Sequence, residues 1–164
     1  MKIFFLIPLF LFFSITTAQE STASKQVSTF NMDMPQLKTT RKIWLYLPIG
    51  YETSTKKYPV IYMHDAQNLF DAKTSYVGEW NVDETLDSIS AQVIVIGIEH
   101  GGDKRIEELT PFKHEKYGGG NADNYLDFIV KTLKPKIDSD FRTKSNAKNT
   151  AIFGSSLGGL VSFY

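Results

Sequence analysis

Three apolar runs without alternation punctuate the chain: Tyr58 to Met63 (YPVIYM), Gln92 to Ile98 (QVIVIGI) and Thr150 to Gly154 (TAIFG). Strands buried on both faces read this way, because neither face meets water. Arg41 to Pro48 alternates instead, with Ile43, Leu45 and Leu47 against Lys42, Trp44 and Tyr46, which predicts a strand with one aromatic face. Weaker alternation over Gln26 to Met32 fits an edge strand that Pro35 interrupts. Two stretches carry helical spacing. Val82, Leu86 and Ile89 predict a helix over 82–89. Leu126, Ile129, Val130, Leu133 and Ile137 form the stripe of a longer one, which Asn121 can cap and Pro135 should kink near its end. Glu99 to Gly120 shows no clear element, and a stretch of that length inside a compact domain reads as a functional surface loop.

Strands alternating with helices predict an α/β domain with a predominantly parallel sheet and helices on both faces. Ligands in such sheets gather beyond the carboxyl ends of the strands. Three segments reach that edge: His64 to Asn68, Glu99 to Gly102, and Gly154 to Leu157.

The first residues follow another logic. Met1-Lys2 is a short positive start, residues 3–13 are apolar around Pro8, and Thr16 and Ala18 stand at the −3 and −1 positions of a cleavage site before Gln19. Residues 1–18 therefore read as a secretory signal peptide. An uncleaved anchor is the competing reading, but the apolar run is short for a span. Residues 19–40 read as a leader with a possible edge strand, and 41–164 as one domain portion. The expected location is secreted or periplasmic.

Composition narrows the chemistry. Lys+Arg and Asp+Glu both total 18, so no basic excess recruits nucleic acid. The chain has no cysteine, which removes disulfides, thiol nucleophiles and thiolate metal sites.

The G-x-S-x-G pentapeptide Gly154 to Gly158 centres on Ser156, with a strand before it and a helix-compatible run after it. A sharp strand-to-helix turn of this kind exposes the serine Oγ, so Ser156 is the candidate nucleophile. Two further segments accompany it: His64-Asp65-Ala66-Gln67-Asn68-Leu69-Phe70-Asp71, and Arg105 to Phe112 (RIEELTPF). Together they resemble the α/β-hydrolase esterase family that includes enterochelin esterases, esterase D and feruloyl-type esterases. The turn at 64–71 is similar to that family's H-D-G-Q-N-L-F-D, with Ala66 where glycine is usual. The resemblance covers about Arg41 to Tyr164. It implies an α/β-hydrolase fold, represented by its N-terminal part through the nucleophile elbow. It also implies that Ser156 attacks an ester carbonyl. The oxyanion would then meet the backbone N–H of Leu157 and a second one placed at Gln67, with Ala66 next to it. No cofactor and no metal are implied. The partner is a small-molecule or carbohydrate-linked ester.

In this fold the acid and then the histidine follow the serine, yet Leu157 to Tyr164 holds neither. The chain therefore reads as a fragment that does not hydrolyse esters by itself, since a serine hydroxyl without a base is a poor nucleophile. An acyltransferase on the same chemistry, or a binding protein on a hydrolase scaffold, are the alternatives. His64 and His100 read as turn residues satisfied locally rather than as substitute bases, and His114 as exposed. Asp65, Asn68 and Asp71 lack calcium-loop spacing and read as a turn and helix start. Gly118 to Gly120 reads as a flexible lead into a helix rather than a phosphate cradle. Arg105 reads as paired with Glu107 or Glu108, or exposed, or binding an anionic substrate. Trp44 and Tyr46 read as packing rather than as a sugar platform.

Overall fold

The computed structural model describes residues 20–164. The signal-peptide reading of 1–18 lies outside the described residues. No described helix is long and apolar enough to cross a membrane.

Five strands form one sheet in the order β1-β2-β4-β3-β5: β1 (Val27–Met34), β2 (Thr39–Tyr46), β3 (Val60–His64), β4 (Ile94–Ile98) and β5 (Thr150–Phe153). The sheet is mixed rather than predominantly parallel. β1 pairs antiparallel with β2 and β2 with β4, while β4, β3 and β5 run parallel. For β1 and β2 the reason is the connection Pro35 to Lys38, a single 3-10 turn closed by a left-handed Lys38. So short a link can only return the chain antiparallel, whereas parallel neighbours need a long crossover.

Alternation along β2 sorts the core into two layers. Ile43 and Leu45 join Tyr62, Ile94 and Ile96 under Tyr125, Phe128, Leu133 and Ile137. Trp44 and Tyr46 face the other way, onto Leu69 and Phe70, with Val82 and Leu86 of α1 (Val82–Ser88). The expected aromatic face is thus packing. Tyr46 also donates to Asp87 Oδ1 at 2.8 Å and Trp44 Nε1 to Glu99 Oε1 at 2.9 Å, so both polar ends are satisfied inside the protein.

Helical spacing needs two corrections. Ile89 is exposed just past the end of α1, and the buried position on that helix belongs to Asp83. In the long helix, α3 (Ala122–Phe128) runs through a π turn (Ile129–Leu133) into α4 (Lys134–Asp140). The wide turn resets the helical phase, so Phe128 and Ile129 both point inward and Val130, expected in the core, is 61% exposed. Pro135 lies just after the π turn, and the helix runs on past it to Asp140. Asn121 does stand at the N-cap, but its side chain accepts from Asn124 rather than from the backbone.

The presumed loop 99–120 contains structure of its own: a 3-10 turn (Gly102–Lys104) and α2 (Arg105–Leu109). Nor is the glycine run a featureless lead-in. Gly118, Gly119 and Gly120 all have φ between 76° and 99°. The Gly119 N–H donates to Glu107 Oε2 at 2.9 Å.

Candidate active site

β3 and β5 are parallel neighbours, so the turns that follow them emerge side by side. After β5 the chain passes Gly154 and Ser155 and enters α5 (Leu157–Phe163) through Ser156. Ser156 has φ 53° and ψ −122°, a region that costs an L-residue on the order of 1–3 kcal/mol and survives only where its surroundings over-determine it. The surroundings here are backbone. A Cβ on Gly154 would stand 2.3 Å from the carbonyl carbon of Gly158. The Gly158 N–H donates to Ser155 O at 2.8 Å and the Leu160 N–H to Ser156 O at 3.0 Å. The serine residue itself stays exposed. α5 sits close on the end of β3, since a Cβ on Gly158 would lie 3.1 Å from His64 Cβ.

The turn after β3 is a 3-10 turn (Ala66–Asn68) entered through a left-handed Asp65, φ 58°. The unusual backbone angle falls on Asp65, so Ala66 is free to carry a methyl group where the resembled motif has glycine. Room for that methyl comes from Gly97 of β4, where an added Cβ would come within 2.8 Å of Ala66 Cβ. Among the described residues, no acceptor takes up the backbone N–H of Gln67 or of Leu157.

Ser155, Ser156 and Gln67 share a cleft of about 700 Å³, with Tyr76, Trp80 and Arg105 on its other walls. Leu157 contributes no side chain to it and packs against the core. Arg105 clamps Asp65 through two bonds, Nε to Oδ1 at 2.7 Å and Nη2 to Oδ2 at 2.8 Å. That corrects the expected pairing with Glu107 or Glu108. Glu108 is taken by Arg41 at 2.6 Å, both groups being buried. The hydrogen-bonded carboxylate of Asp65 raises the Arg105 pKa further, fixing its positive charge at the cleft.

His64 is 1% exposed, and its partners are distant in sequence rather than local. Nδ1 lies 2.6 Å from Tyr125 Oη and Nε2 lies 3.1 Å from Ser162 Oγ. Ser162 itself donates to Gly158 O at 2.7 Å. Burial raises the Tyr125 phenol above its ordinary pKa, so it keeps its proton and donates it to Nδ1. The imidazole is then the Nε2–H tautomer, donating to Ser162. Burial, with a smaller push from Arg105 against the pull of Asp65, brings its pKa down to about 4. His64 is thus a neutral tie between β3, α3 and α5, with both nitrogens occupied. His100 is satisfied locally, accepting from the Gly102 N–H at 2.9 Å, and His114 is exposed. Asp71 accepts from Ser21 Oγ at 2.6 Å and from the Lys73 N–H at 2.8 Å, so the leader is fastened to this turn. Neither Tyr125 nor Ser162 was recognisable beforehand as a partner of His64. Tyr125 carries a polar end in an otherwise apolar helix position, and a buried tyrosine usually finds a partner.

A sheet with helices on both faces, a strained serine at a strand-to-helix turn and a second turn beside it define an α/β-hydrolase-fold protein. The family model described as "Putative esterase" matches residues 35–164, and the chain belongs to that family. It is 32% identical over 118 residues to the ferri-bacillibactin esterase BesA of Bacillus subtilis, covering 63% of this chain and 40% of that protein. It is 29% identical over 135 residues to the uncharacterized Bacillus subtilis protein YbbA, covering 76% of this chain and 50% of that one. Among solved structures, an IroE-like serine hydrolase from Shewanella oneidensis superposes with a TM-score of 0.66 at 27% identity, over 82% of this chain and 44% of that one. The chain spans about half the length of the curated relatives it matches.

Proposed function

We propose that the whole protein is an exported serine hydrolase that cleaves carboxylic esters through an acyl-enzyme on Ser156. The observation that carries this reading is the backbone of Ser156, held at φ 53° and ψ −122° at the mouth of a cleft. A strain of that kind has a use if it presents Oγ to a carbonyl. In the first step Oγ adds to the ester carbonyl carbon and its proton passes to a general base. The oxyanion is met by the free N–H groups of Leu157 and Gln67, each such donor being worth about 3 kcal/mol in the transition state. Collapse expels the alcohol, which takes a proton from the same base, and water then releases the acid.

The base and its orienting acid have no counterpart in Leu157 to Tyr164. His64 is committed to Tyr125 and Ser162. This reading therefore places the acid and histidine in sequence beyond Tyr164, in keeping with longer relatives of which this chain covers 44–50%. The aromatic wall of Tyr76 and Trp80 favours an ester with an aromatic or extended apolar part, siderophore esters and carbohydrate-linked acyl esters among them. Labelling the full-length protein with a fluorophosphonate tests the assignment. Label on Ser156, absent from Ser156→Ala, supports it, and undiminished labelling of Ser156→Ala refutes it. Residues 19–164 alone should turn over no nitrophenyl ester.

A further inference from the structure

Three carboxylates converge next to Trp80, and among the described residues no cation pairs with them. One oxygen each of Glu79, Asp83 and Glu84 lies within 4.8 Å of the others. Asp83 is 0% exposed, on a helix where an apolar side chain would be expected at a buried position. Its Oδ2 accepts from the Ser24 N–H at 2.7 Å, and its Oδ1 is buried with no partner. Glu79 repeats the arrangement: Oε2 accepts from Thr22 Oγ1 at 2.8 Å, and Oε1 is buried and unpartnered. The hydroxyl of Ser24 is a further buried oxygen without a partner. Among the described residues, no lysine, arginine or histidine forms an ion pair with any of the three acids.

An ionised carboxylate loses its hydration when buried, and the usual compensations are a counter-charge, hydrogen bonds or a metal. Here hydrogen bonds satisfy one oxygen each of Asp83 and Glu79 and leave the other open. An all-oxygen donor set selects a hard cation. Calcium takes six to eight oxygen ligands at about 2.3–2.6 Å and accepts several carboxylates in flexible geometry, whereas magnesium keeps most of its waters and is held by one or two carboxylates. We propose that Glu79, Asp83 and Glu84, with the Ser24 hydroxyl available as a fourth oxygen, form a calcium site. The ion would join three segments: the leader Ser21 to Ser24, helix α1 and the segment ending at Trp80. Trp80 follows Glu79 directly and lines the cleft with Tyr76. The site thus steadies the segment that carries Trp80 into the cleft wall, and it stands whether or not the cleft hydrolyses esters.

The test uses the full-length protein stripped with a chelator. Terbium luminescence, sensitised through Trp80, reports occupancy, and calcium or magnesium is titrated in competition while thermal unfolding is followed in parallel. Calcium should displace terbium and raise the melting temperature by several degrees, with magnesium far weaker. Asp83→Asn and Glu84→Gln should each weaken calcium by about tenfold or more. Glu84 is exposed, so its variant keeps the fold and decides the matter if Asp83→Asn does not fold. A melting temperature indifferent to calcium, or a Glu84→Gln protein that responds like the wild type, overturns the proposal. Equal potency of magnesium overturns the assignment to calcium.

Discussion

Replacing Arg41 by methionine should destabilise this protein more than most single changes. Arg41 is 5% exposed and Glu108 is 4% exposed, and Nη2 reaches Oε1 at 2.6 Å. Arg41 also donates to the Glu99 carbonyl at 3.2 Å. Methionine fills much of the same volume but leaves Glu108 with neither oxygen partnered, since Oε2 already lacks a partner. Breaking a buried pair by removing one member costs about 3–5 kcal/mol, because the remaining charge stays desolvated. Removing both members is often close to neutral. Arg41→Met and Glu108→Leu singly should therefore each cost about 3 kcal/mol or more, and the double variant less than either. Urea denaturation of the full-length protein, read at constant slope, gives these values. Single costs that add in the double variant to within about 0.5 kcal/mol would refute the reasoning, since independent sites behave that way. The pair also seats α2, which carries Arg105 to the cleft.

Two further outcomes follow from the site. His64 holds a pKa of about 4 against an ordinary 6.5, so the unfolded chain binds the extra proton between those values. Its contribution is complete above pH 6.5 and is lost as pH falls to about 4, amounting to roughly 3 kcal/mol. In His64→Gln, the fall in urea midpoint between pH 6.5 and 4 should shrink, and an unchanged fall would sink the account. Gly154→Ala should open the turn at Ser156, because the new methyl would stand 2.3 Å from backbone that cannot swing aside. Its fluorophosphonate labelling rate should drop by orders of magnitude while far-ultraviolet dichroism stays close to wild type, and wild-type labelling would contradict the packing.

Much of the layout was legible from the apolar runs, although of the three only β4 is buried on both faces: β3 alternates between buried and half-buried positions, and β5, at the sheet edge, leaves Phe153 55% exposed. The runs ending at Met63, Ile98 and Gly154 became the three parallel strands. Strand direction was less legible, since it depends on the length of the link at Pro35 to Lys38 rather than on apolar pattern. Val130 and Ile89 misled for a related reason. Periodicity assumes a uniform helix, and a π turn in one case and early termination in the other broke that assumption. At the site, Ser156 and Gln67 arrive in one cleft, as their places at adjacent strand ends required. Partnerships were beyond the sequence: Arg105 had acids two and three residues away, yet tertiary folding gave it Asp65. Long-range pairing of His64 with Tyr125 and Ser162 left no local trace either.

Ala66 and Gly97 face each other across the sheet with no room for a second methyl group. Residues 66 and 97 therefore share a single allotment of volume. A family member with glycine at the position of Ala66 can carry a side chain opposite it once the ring at Phe70 and the neighbouring Trp44 also give way, and one that keeps alanine cannot. The two positions should vary in concert among relatives, although one lies in the turn after β3 and the other in β4. The departure at Ala66 is thus a choice made jointly by two residues, and grafting alanine into a relative's turn would succeed only where the facing strand already yields.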